Sequence, residues 1–197
     1  MKAAILTGLV VSLATVAYAE GNAKVRSTNE RASKSAPEKA DPDPKSDKPL
    51  AAPEAKVVNG MHASNLTEIA AGKLAEKNTD NADVLRYGRM LVREHGAADA
   101  KLVAFAHKRA LALTGEAADL SELESKKGPE FDSAFLTMMV KNHGEAMAMV
   151  AAAKETCEDR EVHAILDQTL PRLQRHQAQA VKLQQRLQDP TPAQRAN

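Results

Sequence analysis

Beyond residue 57 the large apolar side chains recur at intervals of three and four, the spacing that lays one stripe along a helix. Four helical segments follow from the pattern, over about 59–77, 82–109, 129–156 and 160–188. The turn and capping residues Asn78-Thr79-Asp80-Asn81 separate the first two, and Pro129 suits the first turn of the third. Pro171 falls inside the fourth, where it removes one backbone donor and favours a bend. No segment alternates as a strand does, and the links at 78–81 and 157–159 are short. Short links make antiparallel neighbours, so the pattern predicts an all-α, antiparallel four-helix bundle. The longer stretch 111–128 carries Leu113, Leu120 and Leu123, which are expected to cover one end of the bundle.

The pattern fails before residue 57, and the failure divides the chain. Residues 1–19 hold one lysine, an apolar run too short to span a bilayer, and Ala17-Tyr18-Ala19, small residues where a signal peptidase needs them. Export with cleavage after Ala19 is the expectation, which places the protein in the periplasm. Residues 20–56 mix Lys, Asp, Glu and Ser with five prolines, too little apolar surface to fold, and read as a disordered linker. The domain is expected over 57–189, with a short disordered tail at 190–197.

Loss of the leader takes the formal charge of +1 to about zero, so no electrostatic footprint for nucleic acid is expected. No transmembrane segment remains once the leader is gone. The linker alternates in sign, which suits at most a weak contact with cell wall or an anionic surface. Cys157 is the single cysteine, so no internal disulfide is available and packing alone must hold the core.

Candidate chemistry lies in the histidines. The phrase His-Gly-x-Ala-x-Ala occurs twice, at His95 and at His143. Rotation by about 100° per residue puts His95 in the middle of the second helix's apolar stripe and His176 in that of the fourth. His143 projects inward but to one flank, whereas His62, His107 and His163 project to the surface. Counted at about 1.5 Å per residue, His95, His143 and His176 fall near mid-bundle, where Glu68 of the first helix can join them. Gly96 and Gly144, directly after His95 and His143, predict that the helices approach closely there. Three imidazoles and a carboxylate form a reasonable shell for Zn²⁺, Cu²⁺ or Fe²⁺. Met139, His143 and Met147 offer a softer alternative suited to Cu(I). The other reading is a satisfied polar core, with Asp99 one turn from His95 as its partner.

A ferritin-like di-iron site needs Glu-x-x-His on two helices, but the residues three before His95, His143 and His176 are Val92, Val140 and Leu173. Nucleophile elbows, phosphate loops and zinc-finger spacings are absent, so no enzyme activity is expected.

Asn65-Leu-Thr-Glu68-Ile-Ala-Ala-Gly72, Met90 with His95, Phe131-Asp132, His143 and Leu170-Pro171 leading to His176 resemble the bacterial secreted family DUF4142. The resemblance covers about 58–188 and implies a ferritin-like bundle in an exported or outer-membrane-associated protein. It also implies that Glu68, His95, His143 and His176 are the recurrent polar positions. Where the family commonly has Asp-His, this chain has Glu94-His95 and Asn142-His143. Two functions stay open: a metal- or ligand-binding exported protein active in envelope stress, and a non-catalytic structural or interaction module.

Overall fold

A computed structural model describes residues 48–189. The leader expected at 1–19, the linker up to residue 47 and the tail from 190 lie outside the described residues. Five helices follow in order: α1 (Ala52–Asn78), α2 (Ala82–Lys108), the short α3 (Ser121–Glu124), α4 (Gly128–Thr156) and α5 (Arg160–Gln188). Among the described residues there is no strand, and no helix is long and apolar enough to cross a membrane.

The helix starts obey local chemistry. Asn81 Oδ1 accepts from the amides of Asp83 and Val84, and Asp159 Oδ1 accepts from those of Glu161 and Val162, satisfying donors that the first turn leaves open. Pro53 and Pro129 stand in the first turns of α1 and α4, where a missing amide costs nothing. α1 therefore begins seven residues before the expected start, inside the stretch read as linker. Pro53 opens that helix, and Val58 behind it is fully buried. α5 continues through Pro171 as one helix.

Two apolar clusters mark the ends of the bundle and give each helix its direction. One holds Val58, Met61, Leu102, Val150, Val162 and Leu166; the other holds Ala75, Val84, Tyr87, Phe131, Phe135 and Leu183. α1 and α5 thus run from the first cluster to the second, while α2 and α4 run the opposite way. Each helix packs against antiparallel neighbours, α1 on α2 and α4, and α5 on α4 and α2.

This order requires the α2–α4 connection to travel the length of the bundle. It does so along α1: Thr114 N donates to Asn59 Oδ1 (2.7 Å), Ala118 N to Thr67 Oγ1 (2.9 Å), and Asn78 Nδ2 to the carbonyl of Glu124 (3.2 Å). The expected end cap is therefore a flank strap. Leu113 meets the first cluster, while Leu120 and Leu123 belong to the second. A bundle with one long crossover is the ferritin-like topology. Arg109 ties the strap's start: its guanidinium, 2% exposed, contacts Asp159, Glu161 and the carbonyl of Lys48.

The closest helix approach is at Gly72 and Gly88, not at the glycines that follow the histidines. A Cβ on Gly72 would lie 2.7 Å from the Gly88 carbonyl oxygen, whereas one on Gly96 meets nothing within 4 Å and one on Gly144 meets only Gln177. The expectation of close packing at His-Gly is thus corrected. Small residues line α1's inner face because α2 lies against it.

Candidate functional site

Between the two apolar clusters the core turns polar. Glu68 on α1, His95 on α2, His143 on α4 and His176 on α5 meet there, 0%, 3%, 0% and 2% exposed. All four sequence-predicted residues come together, one from each long helix. The three imidazole centroids form a triangle with sides of 5.8, 5.1 and 5.4 Å. Glu68 Oε2 lies 2.8 Å from His95 Nε2 and 3.1 Å from His143 Nε2, and His95 Nε2 lies 3.2 Å from His176 Nδ1.

The outer edge of each ring fixes which nitrogen carries the proton. His143 Nδ1 donates to the Met139 carbonyl at 2.8 Å, and His176 Nε2 donates to Glu94 Oε2 at 3.0 Å. His95 Nδ1 lies 2.9 Å from Asn65 Oδ1. The Asn65 amide nitrogen faces Asp99 Oδ1 at 3.4 Å, which can only accept, so the Asn65 oxygen accepts from His95. Held this way, the rings turn their second nitrogens, His95 Nε2, His143 Nε2 and His176 Nδ1, inward. One such nitrogen from each ring lies within 4.8 Å of the others.

Those inner nitrogens face the Glu68 carboxylate, and His95 Nε2 also shares a hydrogen bond with His176 Nδ1. Glu68 Oε2 is near both ring nitrogens but off the line of any N–H, so the short contacts are not directed hydrogen bonds; both Glu68 oxygens and His143 Nε2 lack one. Burial is the largest influence on Glu68 and raises its pKa. The contacts with His143 and His95 and their charges outweigh it and hold the carboxyl at about 2, so Glu68 is an anion at neutral pH. Burial pushes His176 below the usual histidine range against the opposing pull of Glu94, which keeps that ring neutral. The result is a buried anion that needs positive charge at the facing nitrogens, carried either as protons on the rings or as a cation held between them.

Tetrahedral coordination with bonds of about 2.0–2.1 Å has ligand edges of roughly 3.3 Å. The three short contacts lie near that value, and the widest nitrogen pair would have to draw in. The donor set therefore fits one borderline cation. It does not fit a di-iron pair, since a single carboxylate enters the site.

Two sequence expectations change at the second layer. His62 is not a surface residue: its side chain is 13% exposed and its Nδ1 donates to Asp99 at 2.7 Å. Asp99 consequently reaches His95 only through Asn65. The path His62–Asp99–Asn65–His95 was hidden because α1 starts earlier than the sequence pattern implies. His107 is exposed and His163 pairs with Asp167, as surface histidines do. Met139 and Met147 pack in different apolar clusters, one on each side of the polar layer. Cys157 donates to the Asp159 carbonyl, and burial raises its pKa.

Fold and site define a ferritin-like helical bundle with a buried three-histidine, one-carboxylate layer. The chain belongs to the family described as "Domain of unknown function (DUF4142)", whose model matches residues 39–183. No curated protein matches it. Among solved structures, "CopM in the Cu(I)-bound form" is similar with a TM-score of 0.59 and 16% identity, covering 67% of this chain and 95% of that one. At that identity the likeness shows a shared fold.

Proposed function

We propose that this protein is an exported helical bundle that binds one transition-metal ion through Glu68, His95, His143 and His176. The observation that carries the reading is the direction of the lone pairs. Each ring places one N–H on an outer acceptor, and the inner nitrogens face an anionic carboxylate whose two oxygens, like His143 Nε2, have no hydrogen-bond partner. Neutral imidazoles oriented by outer acceptors are the form in which histidine ligates metals. Zn²⁺, Cu²⁺ and Fe²⁺ suit three nitrogens and one oxygen. The fold likeness to a protein solved with Cu(I) makes copper the first ion to test. Export is supported by the leader pattern at 1–19.

The test is metal content. Protein purified without a His tag, incubated with copper, zinc or iron and desalted, retains a single ion per chain by mass spectrometry. His95→Ala and His176→Ala lose it while staying folded by circular dichroism. A wild-type protein that retains none of the three ions, with both variants melting lower, leaves the histidines as a structural layer. A role in envelope stress predicts poorer growth of a deletion strain in excess of the retained ion.

A further inference from the structure

Beside the polar layer the charges that line the structure change sign. A cavity of about 80 Å³ opens at the seam between α2 and α5, with α1 behind it. Its inner wall is apolar, formed by Met61, Leu102 and Leu173, and its floor includes the Asn65–His95 hydrogen bond. Two cations line it, Lys101 from α2 and Arg172 from α5, and neither has an ion pair or hydrogen-bond partner among the described residues.

The acids on nearby turns of the same helices are engaged elsewhere. Asp99 is paired with His62, and Asp167 with Lys154 and His163. Two unpaired positive groups beside a dry wall repel a hydrated metal ion and attract an anion that carries an apolar body. The volume limits that body: a few times the roughly 10–15 Å³ that one water requires, and below the roughly 150 Å³ of a cavity that takes benzene.

We infer that the cavity binds a small organic monocarboxylate, its head on Lys101 and Arg172 and its short alkyl body against Met61, Leu102 and Leu173. Single surface cations commonly lie over apolar ground with only water as partner. Two cations from different helices line one concave site, which makes the ligand reading the stronger.

The probes are acetate, butyrate and octanoate, with chloride as control, titrated into ¹⁵N-labelled, chelator-treated protein at fixed ionic strength. Butyrate is expected to give saturable shifts confined to amides such as Ala98, Lys101, Gln168 and Thr169, and to bind more tightly than acetate, octanoate or chloride. Arg172→Ala weakens it about tenfold. Ala98→Leu, which fills the cavity, removes binding without lowering the melting temperature. No saturation with any probe, or equal effects of butyrate and chloride, overturns the inference, as does an unchanged affinity in both variants. The titration contains no transition metal, so its failure leaves the coordination reading intact, and the metal assay can fail without touching it.

Discussion

Replacing Glu68 by glutamine separates a metal ligand from a structural ion pair, because the two readings predict different responses to the ion. Glutamine keeps the shape of the side chain, removes the charge, and supplies an amide where His95 Nε2 and His143 Nε2 lie 2.8 and 3.1 Å from Oε2. In metal-free protein the charges of the facing rings hold the carboxyl ionised, so the fold gains from the anion, and removing it should cost about 3–5 kcal/mol, the figure for breaking a buried ion pair. For a domain of this size that is a fall of about 10–17 °C in melting temperature. The same variant loses the anionic ligand, so its affinity for the ion should fall by at least the roughly 10–100-fold seen when an outer partner is removed. The assay is thermal unfolding at pH 7.5, in chelator and then with the ion that wild type retains. If the ion raises the melting temperature of the variant as much as that of wild type, the carboxylate only pairs with the rings and the reasoning is wrong.

Three further outcomes follow from the same geometry. In chelator, stability should fall with acid in two stages. His176 has a folded pKa below its unfolded value of 6.5, so its contribution is complete above 6.5 and is lost below; Glu68, held at about 2 against 4.5, adds a loss from about 4.5 towards 2, read by denaturant midpoints across pH. Glu94→Gln, which weakens the outer hydrogen bond of His176, should lower metal affinity about tenfold or more by competition with a chelating dye and leave far-ultraviolet circular dichroism unchanged. Gly96→Ala should stabilise by about 0.5–1 kcal/mol because its new methyl meets open space, whereas Gly72→Ala should destabilise by about 1–3 kcal/mol against the Gly88 carbonyl, both by urea unfolding.

The long helices were legible because their apolar periodicity and caps agree: α2 and α5 lie within a residue of the expected bounds. α1 was legible only in its second half. Its inner face is built of Ala71, Gly72 and Ala75, with the larger Leu66 and Ile69 only partly buried, so size and burial run against each other and no strong stripe marks its start. The inward direction of Glu68 was ambiguous for that same reason. Rotation and rise sufficed to bring His95, His143 and His176 to one level, since each sits on a helix whose register the sequence fixes locally. The crossover was misread because hydrogen bonds such as Thr114 to Asn59 depend on partners 55 residues apart, which no local pattern carries. The outer acceptors Asn65 and Glu94 were missed likewise: a polar residue beside an apolar stripe looks solvated until the facing helix is known.

The central claim is that lone pairs from three helices and a carboxylate from the fourth surround one cation. X-ray absorption on protein loaded with the ion it retains tests this most directly. The account predicts imidazole scattering from three histidines and one oxygen at about 2.0–2.2 Å, and from at most two histidines in His143→Ala held in excess ion. A spectrum with fewer than three imidazoles in wild type, or one unchanged by His143→Ala, would contradict it.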